Sequence, residues 1–276
     1  MKNQYFGDIN DYHKYALLRA LLKGGKIKLL VAWMLTNDDN GPDGNKRRFL
    51  KNVKKKWREL DPDLFDFLLA LHDSRSEPNV SLIEKTRKIL PNTSFYSKNV
   101  EDGIDARVDW QKGLMKAAFG TDLVFLDPDN GFEVKSKGIG NKGSSKYVYW
   151  EEIQPLFWDA GKSLLIYQHG RRVNYEKTVK ETFSELYKLT NSPLIMCFCS
   201  GQVLFFLVTQ TRHYARFRMR ISLFIRKWEG KIWENKRTSP KPLKGRPKPY
   251  TPHWDPDDGI YRGVLEGGWL RKVKAL

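Results

Sequence analysis

The stretch that most restricts the fold is TDLVFLDPDNG at residues 121–131. Leu123 to Leu126 form an unbroken apolar run, the pattern of a strand buried on both faces. Asp127 follows at its carboxyl end. Pro128 has no N–H to give to a sheet ladder, so the strand stops there. Asn130 and Gly131 suit a turn with positive φ. In open α/β sheets, ligands bind just beyond the carboxyl ends of the strands. Asp127 and its neighbours are therefore functional candidates. The plainer reading is an acidic turn that caps the next element.

Helix and strand signals alternate around this stretch. Residues 11–23 read as a helix with Asn10 as N-cap and Gly24-Gly25 as its stop. Residues 27–35 are a strong strand, followed by turn formers at 36–44. Residues 46–58 read as one basic helix, with further helices at 62–72, 80–90 and 104–119 and a short strand at 93–96. Beyond the central strand comes a glycine- and lysine-rich loop over 131–146, of a length that suits function more than connection. Then follow a helix at 149–159, a strand at 163–168, a helix at 175–189, and two strands at 194–199 and 203–208 joined by a glycine turn. Residues 211–228 fit either a basic helix or a strand. This order predicts an α/β fold with a Rossmann-like, methyltransferase-type mixed sheet, flanking helices and a C-terminal antiparallel hairpin. It also predicts a main domain over 1–234, then a basic, proline-rich linker and short tail over 235–276.

Lys and Arg number 49 against 32 Asp and Glu, a formal charge of +17. Such an excess favours a polyanionic partner, and nucleic acid is the expected one. Arg47, Arg48, Lys54, Lys55, Arg171, Arg172, Arg216 and Arg218 are the candidate phosphate contacts. Cys197 and Cys199 are the only cysteines. They alternate within an apolar run and so share a face, as buried thiols of a reducing compartment do. There is no signal-peptide pattern and no apolar run of about 18 residues, so a cytoplasmic protein with no membrane contact is expected.

Gly7, Asp11 and Lys14 have the spacing G-x-x-x-D-x-x-K at the start of the first helix. This resembles the opening of the RlmJ-like methyltransferases, which modify adenine N6 in large-subunit ribosomal RNA with S-adenosylmethionine. The central strand of that family ends in Asp-Pro-Pro-Tyr; here it ends in Asp127-Pro128-Asp129-Asn130. The resemblance implies a cofactor site built from Gly7, Asp11, Lys14, Gly41, Asp43 and Gly44. It implies a catalytic set of Asp127, Pro128, Asn130 and Lys14. The amine of adenine is a poor nucleophile, because its lone pair is delocalised into the ring. Acceptors from Asp127 and the Pro128 carbonyl would align that lone pair on the methyl group, while an aromatic stacks on the extruded base. Asn130 stands where the family has its aromatic, and Phe132 is the nearest replacement.

The same acids have a rival use. Asp8, Asp11, Asp127 and Asp129, with Asp38 and Asp39, would make a Mg²⁺ site for phosphoryl chemistry, and so a nuclease. A third reading is a methyltransferase fold that only binds nucleic acid. His13 reads as structural; His169 is balanced between structure and function.

Overall fold

A computed structural model describes residues 1–38, 46–51, 56–170, 175–201, 203–235, 252–255 and 260–263. The elements in chain order are α1 (Ile9–Leu22), β1 (Leu29–Ala32), α2 (Trp57–Leu60), α3 (Pro62–Asp73), α4 (Ser81–Glu84), β2 (Thr93–Tyr96), α5 (Ile104–Ala117) and β3 (Leu123–Leu126). The short strands β4 (Gly131–Phe132) and β5 (Tyr147–Val148) come next, then α6 (Trp150–Trp158), β6 (Ser163–His169), α7 (Tyr175–Thr190), β7 (Ile195–Ser200), β8 (Val203–Val208), α8 (Tyr214–Lys227) and β9 (Trp233–Asn235). A separate antiparallel pair, β10 (Pro252–Asp255) and β11 (Ile260–Gly263), follows.

The main sheet has the order β2-β1-β3-β6-β8-β7-β9. β2, β1, β3 and β6 pair in parallel, and β8 runs antiparallel between β6 and β7. This is the mixed sheet that the element order predicts, with the hairpin β7–β8 beyond β6 and β9 pairing antiparallel with β7 at the edge.

Side chains of a strand alternate between the two faces. Leu29, Val31, Leu123 and Phe125 pack with α1, α3 and α8 in one core. Leu30, Ala32, Val124 and Leu126 pack with α5, α6 and α7 in the other. Both β1 and β3 are buried at every position, which is why their sequence has no polar alternation. Cys197 and Cys199 lie in the second core and form no disulfide. Residues 211–228 resolve as a helix: Phe217, Ile221 and Phe224 are buried at helical spacing on α8. Among the described residues no helix is long and apolar enough to cross a membrane.

Several expected boundaries differ. Asp8, not Asn10, caps α1, accepting from the backbone N–H groups of Asn10 and Asp11. β1 ends at Ala32 because Met34 takes a φ of 48° and turns the chain out of the sheet. The basic helix expected over 46–58 is not continuous. Arg48–Lys51 is a 3-10 turn, and Lys56 has a φ of 51° before α2 begins. Dense like charges three and four residues apart oppose a single helix there. Of residues 80–90 only Ser81–Glu84 is helical; the Thr86 hydroxyl bonds back to the Leu82 carbonyl, a competitor to helix propagation. Of the expected linker and tail, β9 extends the sheet to Asn235, and residues 236–251 lie outside the described residues.

Candidate active site at the carboxyl end of the sheet

The G-x-x-x-D-x-x-K spacing has a local physical basis. Gly7 takes a φ of +83°, which a glycine adopts without steric cost. Its N–H donates to Asp11 Oδ2 at 2.9 Å, four residues on. Asp11 Oδ1 accepts from Lys14 Nζ at 2.7 Å, and the Tyr15 hydroxyl donates to Asp11 Oδ2 at 3.1 Å. One carboxylate thus closes the turn before α1 and holds the lysine one turn later.

β3 delivers Asp127 to the same place. Lys14 Nζ donates to Asp127 Oδ2 at 2.7 Å, so the ammonium sits between two carboxylates. Lys14 is 2 % exposed and Asp127 is 1 % exposed. The Tyr167 ring, from β6, lies 5.5 Å from Lys14 Nζ. Burial alone would lower the lysine's pKa, but Asp11 and Asp127 more than offset it and hold the ammonium charged. Burial raises the Asp127 pKa, against the pull of Lys14 and the N-terminal ammonium.

The residues beyond β3 are equally engaged. The N-terminal ammonium of Met1 donates to the carbonyls of Met34 and Asp127, each at 3.0 Å, and pairs with Asp129 Oδ1 at 2.7 Å. The Thr36 hydroxyl donates to Asp129 Oδ2 at 2.6 Å. Burial would raise the Asp129 pKa, but the ammonium and the hydroxyl hold it low. The Met1 sulfur lies 3.8 Å from Lys14 Nζ. The methionine therefore fills the crevice between the ends of β1 and β3. A cavity of about 250 Å³ is lined by Gly7, Arg47 and His72 among others; Asp127 does not line it.

The chain after Pro128 is pinned from β6. Gln168 Nε2 donates to the Asn130 carbonyl at 3.0 Å, and Gln168 Oε1 accepts from Phe132 N–H at 2.9 Å. Phe132 stacks on Trp150 with ring centroids 4.5 Å apart and meets Phe206 edge-on. It is core, not an open platform for a base, because a ring two residues past Asn130 points into the sheet-helix layer. Asn130 is half-buried, and its N–H donates to the Lys146 carbonyl.

The acids proposed for Mg²⁺ converge only in part. Asp8 is the cap of α1, Asp11 and Asp127 face Lys14, and Asp129 faces the N-terminus. The lysine ammonium stands where a cation shared by Asp11 and Asp127 would sit. Among the described residues no group of three or more His, Cys, Asp or Glu is arranged to hold a metal ion. Gly41, Asp43 and Gly44, with Lys54, Lys55, Arg171 and Arg172, lie outside the described residues.

The remaining cations separate. Arg48 is exposed. Arg47 donates to the carbonyls of Gln4 and Phe6, tying down the N-terminal lead. Arg218 pairs with Glu234 at 3.1 Å, while Arg216 lies on the side of α8 that carries Arg220. His13 is buried against Trp57 and Trp228, with Nδ1 bonded to the Ser200 hydroxyl, the structural role expected of it. The sequence reading missed Met1, Thr36, Tyr167 and Gln168. Gln168 alone left a signal, as a polar residue at the end of an apolar strand.

No family model matches the chain, and no curated protein matches it. Among solved structures, a Legionella pneumophila str. Philadelphia 1 protein described by the family model DUF519 aligns at 11% identity and a TM-score of 0.43, over 86% of this chain and 98% of that one. Human methyltransferase-like protein 13, in complex with SAH, aligns at 12% identity and a TM-score of 0.29, over 83% and 96%. At this level of likeness neither carries residue roles to this chain.

Proposed function

We propose that the chain is an S-adenosylmethionine-dependent methyltransferase acting on adenine N6 in nucleic acid. One observation carries the reading. At the ends of β1 and β3 the carbonyls of Met34 and Asp127 and the carboxylate of Asp129 hold an α-ammonium, and Lys14 lies against the thioether of the same methionine. S-adenosylmethionine offers an α-ammonium and a sulfur on the same carbon skeleton, so the acceptors suited to its methionyl end are present in the crevice.

Met34, Asp127 and Asp129 would hold that end once Met1 withdraws. When bound, the cofactor supplies a methyl group on a positively charged sulfur. Asp127 and the Pro128 carbonyl accept the two N–H bonds of the target amine and orient its lone pair. Lys14 fixes the Asp127 carboxylate and supplies its counter-charge, and Asp11 in turn fixes Lys14. The +17 charge supports a nucleic-acid substrate.

A second reading, a binding protein of the same fold, draws on the closure of the site. Asp127 is buried and ion-paired, and Phe132 has no free face. Calorimetric titration with S-adenosylmethionine, with and without Mg²⁺, tests both. Heat of binding together with methyl transfer to RNA or DNA supports the enzyme. A folded sample that gives no heat at millimolar ligand yet retains nucleic-acid affinity selects the binding protein.

A further inference from the structure

The opposite edge of the sheet, where the parallel strands begin, has a different chemistry. Arg212, Arg216 and Arg220 recur every four residues into and along α8, so they line one side of it. Among the described residues none of the three is in a salt bridge. Arg212 donates to the Gly161 carbonyl and Arg220 to the Leu21 carbonyl, which seats the row against this edge. The crowding of cations is visible in their ionisation. Besides burial, Arg216 lowers the pKa of Arg220, and Arg212 lowers that of Lys162.

Beside this row runs a groove of about 540 Å³, lined by Lys28, Arg87, Asn92, Thr93, Ser94 and Phe119. Hydrogen bonds link its ends to residues next to those the row approaches. Lys162 Nζ donates to the carbonyl of Thr121, and Asn92 donates to that of Gly25, next to the Gly24 that Arg220 approaches. Lys28 and Arg87 are exposed and in no salt bridge among the described residues. One acid on this edge, Asp122, is engaged by the Lys28 N–H and lies 3.7 Å from His213.

Phe119 is 90% exposed. A lone exposed aromatic is ordinary. This one stands in a groove that also carries two cations, the small polar Asn92, Thr93, Ser94 and Thr121, and the apolar Leu29 and Pro91. Gly120 follows it at a φ of +72°, with no atom within 4 Å of where a Cβ would be, so a polymer backbone can come close. An occupant must offer a flat apolar face and repeated negative charge. An acidic peptide has the charge without the faces, and a duplex hides its faces by stacking.

We infer that the amino edge of the sheet is a binding surface for single-stranded nucleic acid, with Phe119 stacking on a base and Lys28, Arg87 and the Arg212–Arg216–Arg220 row holding phosphates. The inference rests on the nucleic-acid part of the proposed function. It places the polymer at the end of β3 remote from Asp127, about 13 Å away along a four-residue strand.

Fluorescence anisotropy with labelled single-stranded RNA and DNA of mixed sequence tests it on the full chain. Phe119→Ala should weaken binding roughly five- to a hundred-fold, the range that base–aromatic stacking gives on alanine substitution. Phe119→Trp should retain affinity. Lys28→Ala and Arg87→Ala should each make the log–log salt slope shallower by about 0.7. Thermal melts should be unchanged, since these side chains are exposed. If wild type binds and Phe119→Ala binds equally well, the groove assignment is wrong while the nucleic-acid reading stands. If wild type binds no oligonucleotide at low salt, both fall. Competition by duplex DNA or polyglutamate as strong as that by the single strand overturns the stacking platform in favour of a general anion surface.

Discussion

Lys14 Nζ and Asp127 Oδ2 are 2.7 Å apart across a sequence separation of 113 residues, and both are buried. The pair joins α1 to the end of β3. Removing the lysine leaves Asp11 and Asp127 facing each other without their cation. Lys14→Ala should therefore cost roughly 3–5 kcal/mol in denaturant unfolding. Lys14→Met combined with Asp11→Asn and Asp127→Asn, which removes all three buried charges, should recover much of that loss. A Lys14→Ala variant within about 1 kcal/mol of wild type would show that the ion cluster does not hold the fold.

Asp127 separates structure from chemistry. In the methyltransferase reading it accepts a hydrogen bond from the target amine. Asp127→Asn keeps an acceptor oxygen, and Lys14 keeps Asp11. Methyl transfer should fall in part for Asn and almost wholly for Ala, with nucleic-acid affinity unchanged in both. If both variants keep full transfer activity, Asp127 is a turn residue and the mechanism is wrong. Equal loss in both variants, confined to Mg²⁺-dependent cleavage, would restore the metal reading.

Two buried groups oppose each other across the acid range. Burial lowers the His13 pKa to about 4, with Lys231 adding to the shift, and its Nε2 has no hydrogen-bond partner among the described residues. The unfolded chain then binds more protons between the ordinary histidine value and 4, so this contribution is lost as pH falls through that window. Burial, with Asp11, raises the Asp8 pKa to about 7. The folded state then binds more protons above the ordinary carboxyl value, so this contribution is lost as pH rises toward 7. Asp8→Asn keeps a good N-cap and should make stability rise more steeply with pH between 4 and 6.5. His13→Gln should tilt the curve the other way. Melting temperatures that track wild type in parallel for both variants would refute these assignments.

Gly131 is fixed by geometry. Its φ is +106°, and a Cβ there would lie 2.3 Å from Gln168 Oε1. Gly131→Ala strains the backbone by the order of 1–3 kcal/mol and pushes Gln168 off the Phe132 N–H. The expected result is a lower melting temperature, with Gln168→Ala giving a smaller loss. An unshifted melt for Gly131→Ala would mean that the turn relaxes.

Much of this was legible in the sequence because it is periodic or local. The apolar run of 123–126, the alternation of helix and strand, and the glycine hairpin turn each fix an element without knowledge of its neighbours. The G-x-x-x-D-x-x-K spacing was legible as a unit for the same reason, since Asp11 reaches Gly7 and Lys14 within one turn either way. What the sequence hid depends on strand order. That Lys14 pairs directly with the Asp127 carboxylate, that Gln168 clamps Asn130 and Phe132, and that Asp129 faces an ammonium all follow from β1, β3 and β6 being neighbours. The basic stretch 46–58 misled because its apolar residues have helical spacing, while its charges decide against a continuous helix. Arg107 and Glu152 form a buried two-point ion pair between α5 and α6 that no local pattern announces.

The Lys14–Asp127 contact also joins a short closure of the chain to a very long one. α1 precedes β3 in the chain, and its lysine has one carboxylate, Asp11, only three residues away. The second carboxylate arrives after more than a hundred further residues, and closing so long a loop is entropically slow. The inner face of α1 also rests on α3 and α8, and α8 follows β3 in the chain. One ammonium thus ties the helix both to its own first turn and to a strand more than a hundred residues away.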